Sequence, residues 1–446
     1  MNEFIALVIF YAIIGTAIAA YARKGVRTQE DYFIGGRNIG GIISALTYAA
    51  TTYSAFMMVG LVGLSYMTGV GAAGFELMYL VGTLFLLSYY APKVWKLGKE
   101  RGFVSPAEIF AYRYGDVTAK LATILALIAL IPYTSIQMIG VALILQKNAG
   151  VNFAVGVAIA SILIALWVFL GGLRGVAWTD AVQGLFMLTV AILAVFWTFN
   201  YIGGFEIPKD LAVVPNEFWT PLRFATLTIP WFFFALTNPQ VFQRLFIPKD
   251  ERAVKRMVVL FGTFGLIYTV LVTFLGLNLR FGTEIGKFPF VADRDKVTPT
   301  LLSMMPNWIA LPLALSIIAA AVTTANSIIL TLSSMVLRDV IGEKARVMGG
   351  KAVVIVLTIA VAIFALKRMS YIVELAILSS TILLCQLPLI LGVFHWRWGK
   401  EWTGLATLIG GFTTAIILSA MKHLMVSIAT FCVSFAAFLT VSLIER

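Results

Sequence analysis

The sequence predicts an all-α polytopic membrane protein of about thirteen transmembrane helices, forming one transmembrane domain over residues 1–446. Three observations carry that expectation. Of the 446 residues, 60% are hydrophobic and 12% are charged, with a mean hydropathy of +0.95. A soluble domain carries roughly 25% charged residues, so this chain is not a globular enzyme. The apolar residues fall in runs long enough to cross a bilayer, and lipid leaves a spanning backbone no partner outside its own helix or a closed barrel. Finally, basic residues gather in alternate loops.

In chain order the runs are 2–22, 40–66, 70–92, 119–146, 152–171, 176–200, 222–247, 256–280, 300–336, 352–366, 371–394, 403–420 and 424–443. One set of loops, holding Arg37, Arg174, Arg244 and Arg338 among others, carries 23 Lys and Arg; the other carries 10, including Arg223, Arg294, Lys367, Arg368 and Lys422. The positive-inside rule puts the richer set in the cytoplasm. An odd number of spans then leaves the N-terminus outside and the C-terminus inside, in a plasma membrane.

The same residues exclude several classes. The net charge of +12 sits between apolar spans, where it sets orientation and does not bind nucleic acid. Cys385 and Cys432 both fall inside apolar runs, which suggests neither a disulfide framework nor a metal cluster. His395 and His423 are the only histidines, too few for a histidine-rich catalytic metal site. There is no Walker A motif for ATP and no repeated arginine within one span for voltage sensing. Met1-Asn2-Glu3-Phe4 lacks a basic n-region, so the first run reads as a retained helix.

Two spans look interrupted. Ser44, Thr47, Thr51, Thr52 and Ser54 crowd the middle of the second, and Thr237-Asn238-Pro239-Gln240 follows the aromatic run Trp231–Phe234 in the seventh. Pro239 removes a helix hydrogen bond and frees a carbonyl, although a simple kink would do the same. With the first helix set aside, these are the first and sixth of ten spans, so residues 40–200 and 222–395 read as two inverted five-helix repeats, with 403–443 adding two C-terminal helices. Broken helices at matching places in inverted repeats mark the solute site of many secondary transporters. The eighth span of that count carries Ala320, Thr323 and Thr324 on one face, and Ser327, Thr331 and Ser334 continue the stripe toward Arg338 and Asp339 as an exit path. Neutral oxygens of this kind suit a hard cation such as sodium, while hydroxyls that only bond back or join helices are the plainer reading.

Four stretches resemble the sodium:solute symporter family of proline, pantothenate, sugar and iodide carriers. They are Asp31 through Gly41, Ser105-Pro106-Ala107-Glu108, Gly171 through Gly184, and the Thr323-Thr324 stretch. The resemblance covers roughly residues 1–395. It implies a fold like that of the bacterial leucine transporter, alternating access around a midplane site, and a sodium site made of the carbonyls of Ala50, Tyr53 and Ala320 with the hydroxyls of Thr323 and Thr324. Proline carriers of the family have an aspartate where this chain has Thr52.

Glu76 lies inside the third span, where a charge costs about 2.5 kcal/mol or more and is by default a functional group. Glu374, in the eleventh span near Arg368, reads as structural. Candidate solute contacts are Thr52 and Phe56 on the first core helix, Glu76 on the second, Gln137 on the third, and Phe234, Asn238 and Gln240 on the sixth, since aromatic walls with a few convergent polar groups make a small-molecule pocket. The expected function is sodium-coupled symport of a small organic solute, with sodium as coupling ion and no organic cofactor. Proline, pantothenate or another monocarboxylate is favoured over a sugar on general resemblance. The alternatives are a proton-coupled carrier titrating at Glu76 and a sensor without turnover; a membrane-embedded enzyme lacks a nucleophile and base constellation.

Overall fold

The computed structural model describes residues 3–342, 346–367 and 372–446. The helices are α1 (Glu3–Ala22), α2 (Gln29–Ile34), α3 (Gly41–Thr52), α4 (Val62–Thr68), α5 (Val70–Arg101), α6 (Glu108–Tyr114), α7 (Asp116–Ala149), α8 (Phe153–Ile202), α9 (Pro221–Phe232), α10 (Phe234–Thr237), α11 (Pro239–Phe242), α12 (Glu251–Glu284), α13 (Val297–Met304), α14 (Asn307–Met335), α15 (Val347–Leu366), α16 (Ile372–Leu383), α17 (Leu387–His395), α18 (Glu401–Ala420) and α19 (Val426–Ile444). Among the described residues, ten helical segments are long and apolar enough to cross a membrane, and α3 with the helix after it, bent by 54°, makes an eleventh. No strand forms there; the lone β-bridge joins Ile39 to Pro248.

The sequence separates spans at 152–171 and 176–200, whereas α8 runs through both. Its 50 residues would extend about 75 Å at 1.5 Å each, more than twice the roughly 30 Å of hydrocarbon. Gly172 resolves the conflict: φ 51° and ψ −150° interrupt the helix there. A Cβ at Gly172 would collide with the Tyr32 carbonyl, so that approach needs glycine. The ninth span also begins later than expected, because Met305 and Pro306 leave the helix and α13 is a separate piece.

The motif before α3 is built from its own residues. Thr28 caps α2 by accepting from the Asp31 N–H, and the Asp31 carboxylate accepts from the Thr28 N–H, a reciprocal capping box. Gly35, Gly36 and Arg37 then all take positive φ, which turns the chain back sharply. That turn aims Arg37 at Glu30, 2.9 Å away, and at the carbonyls of Phe103 and Phe246. Beside it Ile39 accepts from Lys249 N–H and donates to Ile247, at 3.0 and 3.2 Å. These contacts tie the segment before α3 to the loops after α5 and α11.

α14 is the centre of the molecule. It packs on α7, α8, α15 and α3, and every residue from Leu313 to Met335 is buried. Ala319, Ala320 and Ala321 present no side chain beyond Cβ, which lets neighbouring backbones come close, the condition for tight helix pairing in lipid.

Candidate cation and solute site

α3 ends where its hydroxylated residues accumulate. Tyr53 takes ψ 89°, the Ser54 hydroxyl accepts from Phe56 N–H at 3.1 Å, and the chain resumes as a π-helical turn over Phe56–Leu61. Carbonyls of a last helical turn have no intrahelical donor, so those of Ala50 and Thr51 look outward. α14 answers them. The Thr323 hydroxyl lies 3.0 Å from the Ala50 carbonyl and 3.0 Å from the Ala320 carbonyl; the Thr324 hydroxyl lies 3.3 Å from Ala50 and 3.4 Å from Thr51. Four oxygens expected from the sequence, on Ala50, Ala320, Thr323 and Thr324, therefore stand together, and the Thr51 carbonyl joins them unforeseen. Tyr53 follows at the helix end with its ring among Phe261, Phe264, Tyr268 and Tyr79.

The spacing suits a cation. Oxygens ringed octahedrally at about 2.4 Å around an ion of calcium's size stand roughly 3.4 Å apart, and sodium is of that size. The observed 3.0–3.4 Å needs only small adjustments. The donor set is wholly neutral, which suits a monovalent ion.

Beyond it the stripe on α14 is paired rather than open. Ser327 lies 2.8 Å from the Thr51 hydroxyl and accepts from Arg244 at 2.6 Å. Gln243 accepts from Thr331 and donates to Ser334 and the Val104 carbonyl. Arg338 meets Glu108, and Asp339 accepts from Ser105 and Thr123. Arg244 corrects the sequence reading: it is not a loop charge but 0% exposed, and it interacts electrostatically with Asp180, which accepts from Thr47 at 2.6 Å. The apolar flanks Val241-Phe242 and Leu245-Phe246-Ile247 were the missed signal, as was an acid in the middle of an apolar run.

Of the expected solute contacts, Thr52, Phe56, Glu76 and Phe234 line one small cavity of about 20 Å³, with Tyr79, Tyr133 and Trp231. Glu76 is 2% exposed and its Oε2 has no hydrogen-bond partner among the described residues; the same holds for the hydroxyls of Thr52 and Tyr79. Gln137, Asn238 and Gln240 are buried outside that lining. Both amide atoms of Gln137 lack partners, one turn beyond Tyr133; Asn238 takes extended backbone between α10 and α11 and reaches Thr237 at 3.3 Å; the Gln240 carbonyl oxygen is unpartnered. The spacing i+3 from Glu76 and i−4 from Gln137 could have found Tyr79 and Tyr133. The side chain of Glu374 and all of Arg368 lie outside the described residues.

A second cavity, about 670 Å³, occupies the end of the bundle away from Arg37, lined by Leu64, Phe75, Trp219, Arg223, Arg294 and Lys422 among others. An aromatic pair joins the linings of the two: Phe75, on the larger cavity, stacks on Trp231, on the smaller, with centroids 5.7 Å apart.

The family model described as the sodium:solute symporter family matches residues 32–401. A sodium/pantothenate symporter of Haemophilus influenzae is 25% identical over 345 residues, 73% of this chain and 69% of that protein. A high-affinity proline transporter of Bacillus subtilis is 24% identical over 427 residues, 90% of this chain and 89% of its own. Among solved structures, a substrate-bound, outward-open Na+-coupled sialic acid symporter matches with a TM-score of 0.82 at 19% identity, covering 99% of this chain and 98% of that one. MhsT in complex with L-phenylalanine matches at 0.58 and 12%, covering 91% and 98%. At these identities the structural likeness is one of fold.

Proposed function

The chain belongs to the sodium:solute symporter family, and from that premise we propose that it carries a small organic solute across the plasma membrane, driven by sodium bound between α3 and α14. The observation that carries the reading is the Thr323 and Thr324 hydroxyls meeting the Ala50 and Ala320 carbonyls across a helix break. In the proposed arrangement the Tyr53 carbonyl completes the shell when sodium binds. The thirteen crossings are α1, ten core spans in two inverted repeats at 40–200 and 222–395, and two at the C-terminal end, with α8 counted twice across Gly172 and α9 to α11 as one broken span. The Arg37 end faces the cytoplasm and the Arg223 end the outside, in accord with the basic loops.

Sodium acts through differential affinity. Its ligands come from two helices that part when the Arg37 end opens, so bound sodium lowers the free energy of the form open at the Arg223 end. Thr52, Phe56, Glu76 and Phe234 hold the solute beside that site, and Gln137, Asn238 and Gln240 join when the broken α9–α11 span shifts. Glu76, buried with an unpartnered oxygen, also gives a proton-coupled reading. Purified protein in proteoliposomes separates the two: uptake that accumulates with an inward sodium gradient at equal pH supports sodium coupling. Uptake that follows a pH gradient in sodium-free medium overturns it.

A further inference from the structure

We propose that the solute is a zwitterion, a small molecule bearing both an ammonium group and a carboxylate; this rests on the transport reading above and names its substrate class. Two independent features point there. The inner cavity has a single charged group among its described lining residues, Glu76, 98% buried with Oε2 unpartnered. Aromatic rings line the same cavity and pack on one another: Trp231 and Phe234 lie 5.7 Å apart, Tyr79 and Phe234 5.6 Å, and Phe56 and Trp231 5.7 Å. Ring faces and a carboxylate with one oxygen left unpartnered both attract a cation, and a desolvated ammonium satisfies both at once. A sugar would need many hydrogen-bonding groups, and this wall supplies few. A bare carboxylate facing Glu76 would be repelled.

The outer cavity carries the opposite sign. Arg223, Arg294 and Lys422 line it with His423, and no acid stands among its described lining residues. Asp295, 4.0 Å from Arg294, offsets part of that charge without lining the cavity. Such a vestibule draws carboxylates in and holds back solutes that are only cationic. The stacked pair Phe75 and Trp231 joins it to the smaller cavity, Phe75 lining the one and Trp231 the other. A zwitterion therefore enters with its carboxylate toward the arginines and leads with its ammonium toward Glu76.

The test uses the purified full chain in detergent. Thermal unfolding in 100 mM NaCl, against KCl of equal strength, is measured with the twenty amino acids, glycine betaine, galactose and pantothenate. The best zwitterion is then compared with its amine-only and acid-only isosteres, as proline with pyrrolidine and cyclopentanecarboxylate. The expected result is at least tenfold weaker binding of each isostere. Glu76→Gln should bind the zwitterion at least tenfold more weakly while still responding to sodium, which marks the variant as folded; if it does not fold, the wild-type isostere comparison decides. Galactose, pantothenate or the acid-only isostere binding as tightly as the zwitterion overturns the proposal, as does a panel in which no zwitterion binds. Equal responses to NaCl and KCl overturn the sodium reading alone.

Discussion

Replacing Thr323 by alanine removes one hydroxyl from the oxygen cluster between α3 and α14. That hydroxyl makes two contacts at 3.0 Å, to Ala50 and to Ala320, at a fully buried position. Losing neutral hydrogen bonds costs about 1 kcal/mol and the missing methyl about another, so the variant melts lower in any salt. The sodium increment is a separate quantity. A contact to a charged group is worth about 1.5–3 kcal/mol, so sodium affinity should fall roughly tenfold to a hundredfold. If the native Kd is ~1 mM, 100 mM sodium stabilises the protein by about 2.7 kcal/mol, and a thirtyfold weaker site leaves about 0.9 kcal/mol. The assay is thermal unfolding across a NaCl titration with KCl holding ionic strength constant. Thr323→Ser keeps the hydroxyl and should keep most of the increment. A Thr323→Ala protein whose sodium increment equals the wild type's would refute the assignment of that oxygen.

Three further outcomes follow from the packing. Breaking the Arg338–Glu108 pair, whose side chains are 14% and 12% exposed, with Glu108→Gln should loosen the Arg37 end; a cysteine placed at Ala107 then reacts faster with a thiol reagent added at that end, and an unchanged rate argues that the pair does not hold that end together. Gly172→Ala forces a side chain into a positive-φ position against the Tyr32 carbonyl; strain of about 1–3 kcal/mol should lower the melting temperature with sodium and potassium alike, and normal stability would show that α8 can straighten there. Arg244→Met removes a buried charge that interacts with Asp180, together with its bond to Ser327, and should lower the folded yield. Adding Asp180→Leu should recover much of the loss in folded yield, and no recovery would mean that the two do not act as a pair.

The sequence discloses this architecture unevenly, for physical reasons. The α3 break is legible because Thr51, Thr52 and Ser54 are a poor way to fill a lipid-facing helix, and Thr323-Thr324 because paired hydroxyls recur at helical spacing on a buried span. The break at Gly172 is legible as the gap between two apolar runs, but the single residue that makes it, with helix on both sides, is not. Arg244 and Asp180 were hidden because each sits far in sequence from its partner, and a lone charge near a span end resembles an orienting loop residue. The Thr51 carbonyl is backbone, so no residue type announces it. Gln137, Asn238 and Gln240 were conspicuous as polar side chains, but which of them reach the cavity depends on helix rotation that one sequence does not contain. The charge of the outer cavity arises from Arg223 at the start of α9, Arg294 before α13 and Lys422 after α18, which lie far apart in sequence.

The most direct test of the account is equilibrium binding of radioactive sodium to the purified protein, wild type beside a Thr323→Ala/Thr324→Ala double variant with the same folded yield. The account predicts saturable sodium binding by the wild type that potassium does not displace, and at least a hundredfold weaker binding by the double variant. Sodium bound equally by both proteins, or by neither, would contradict it.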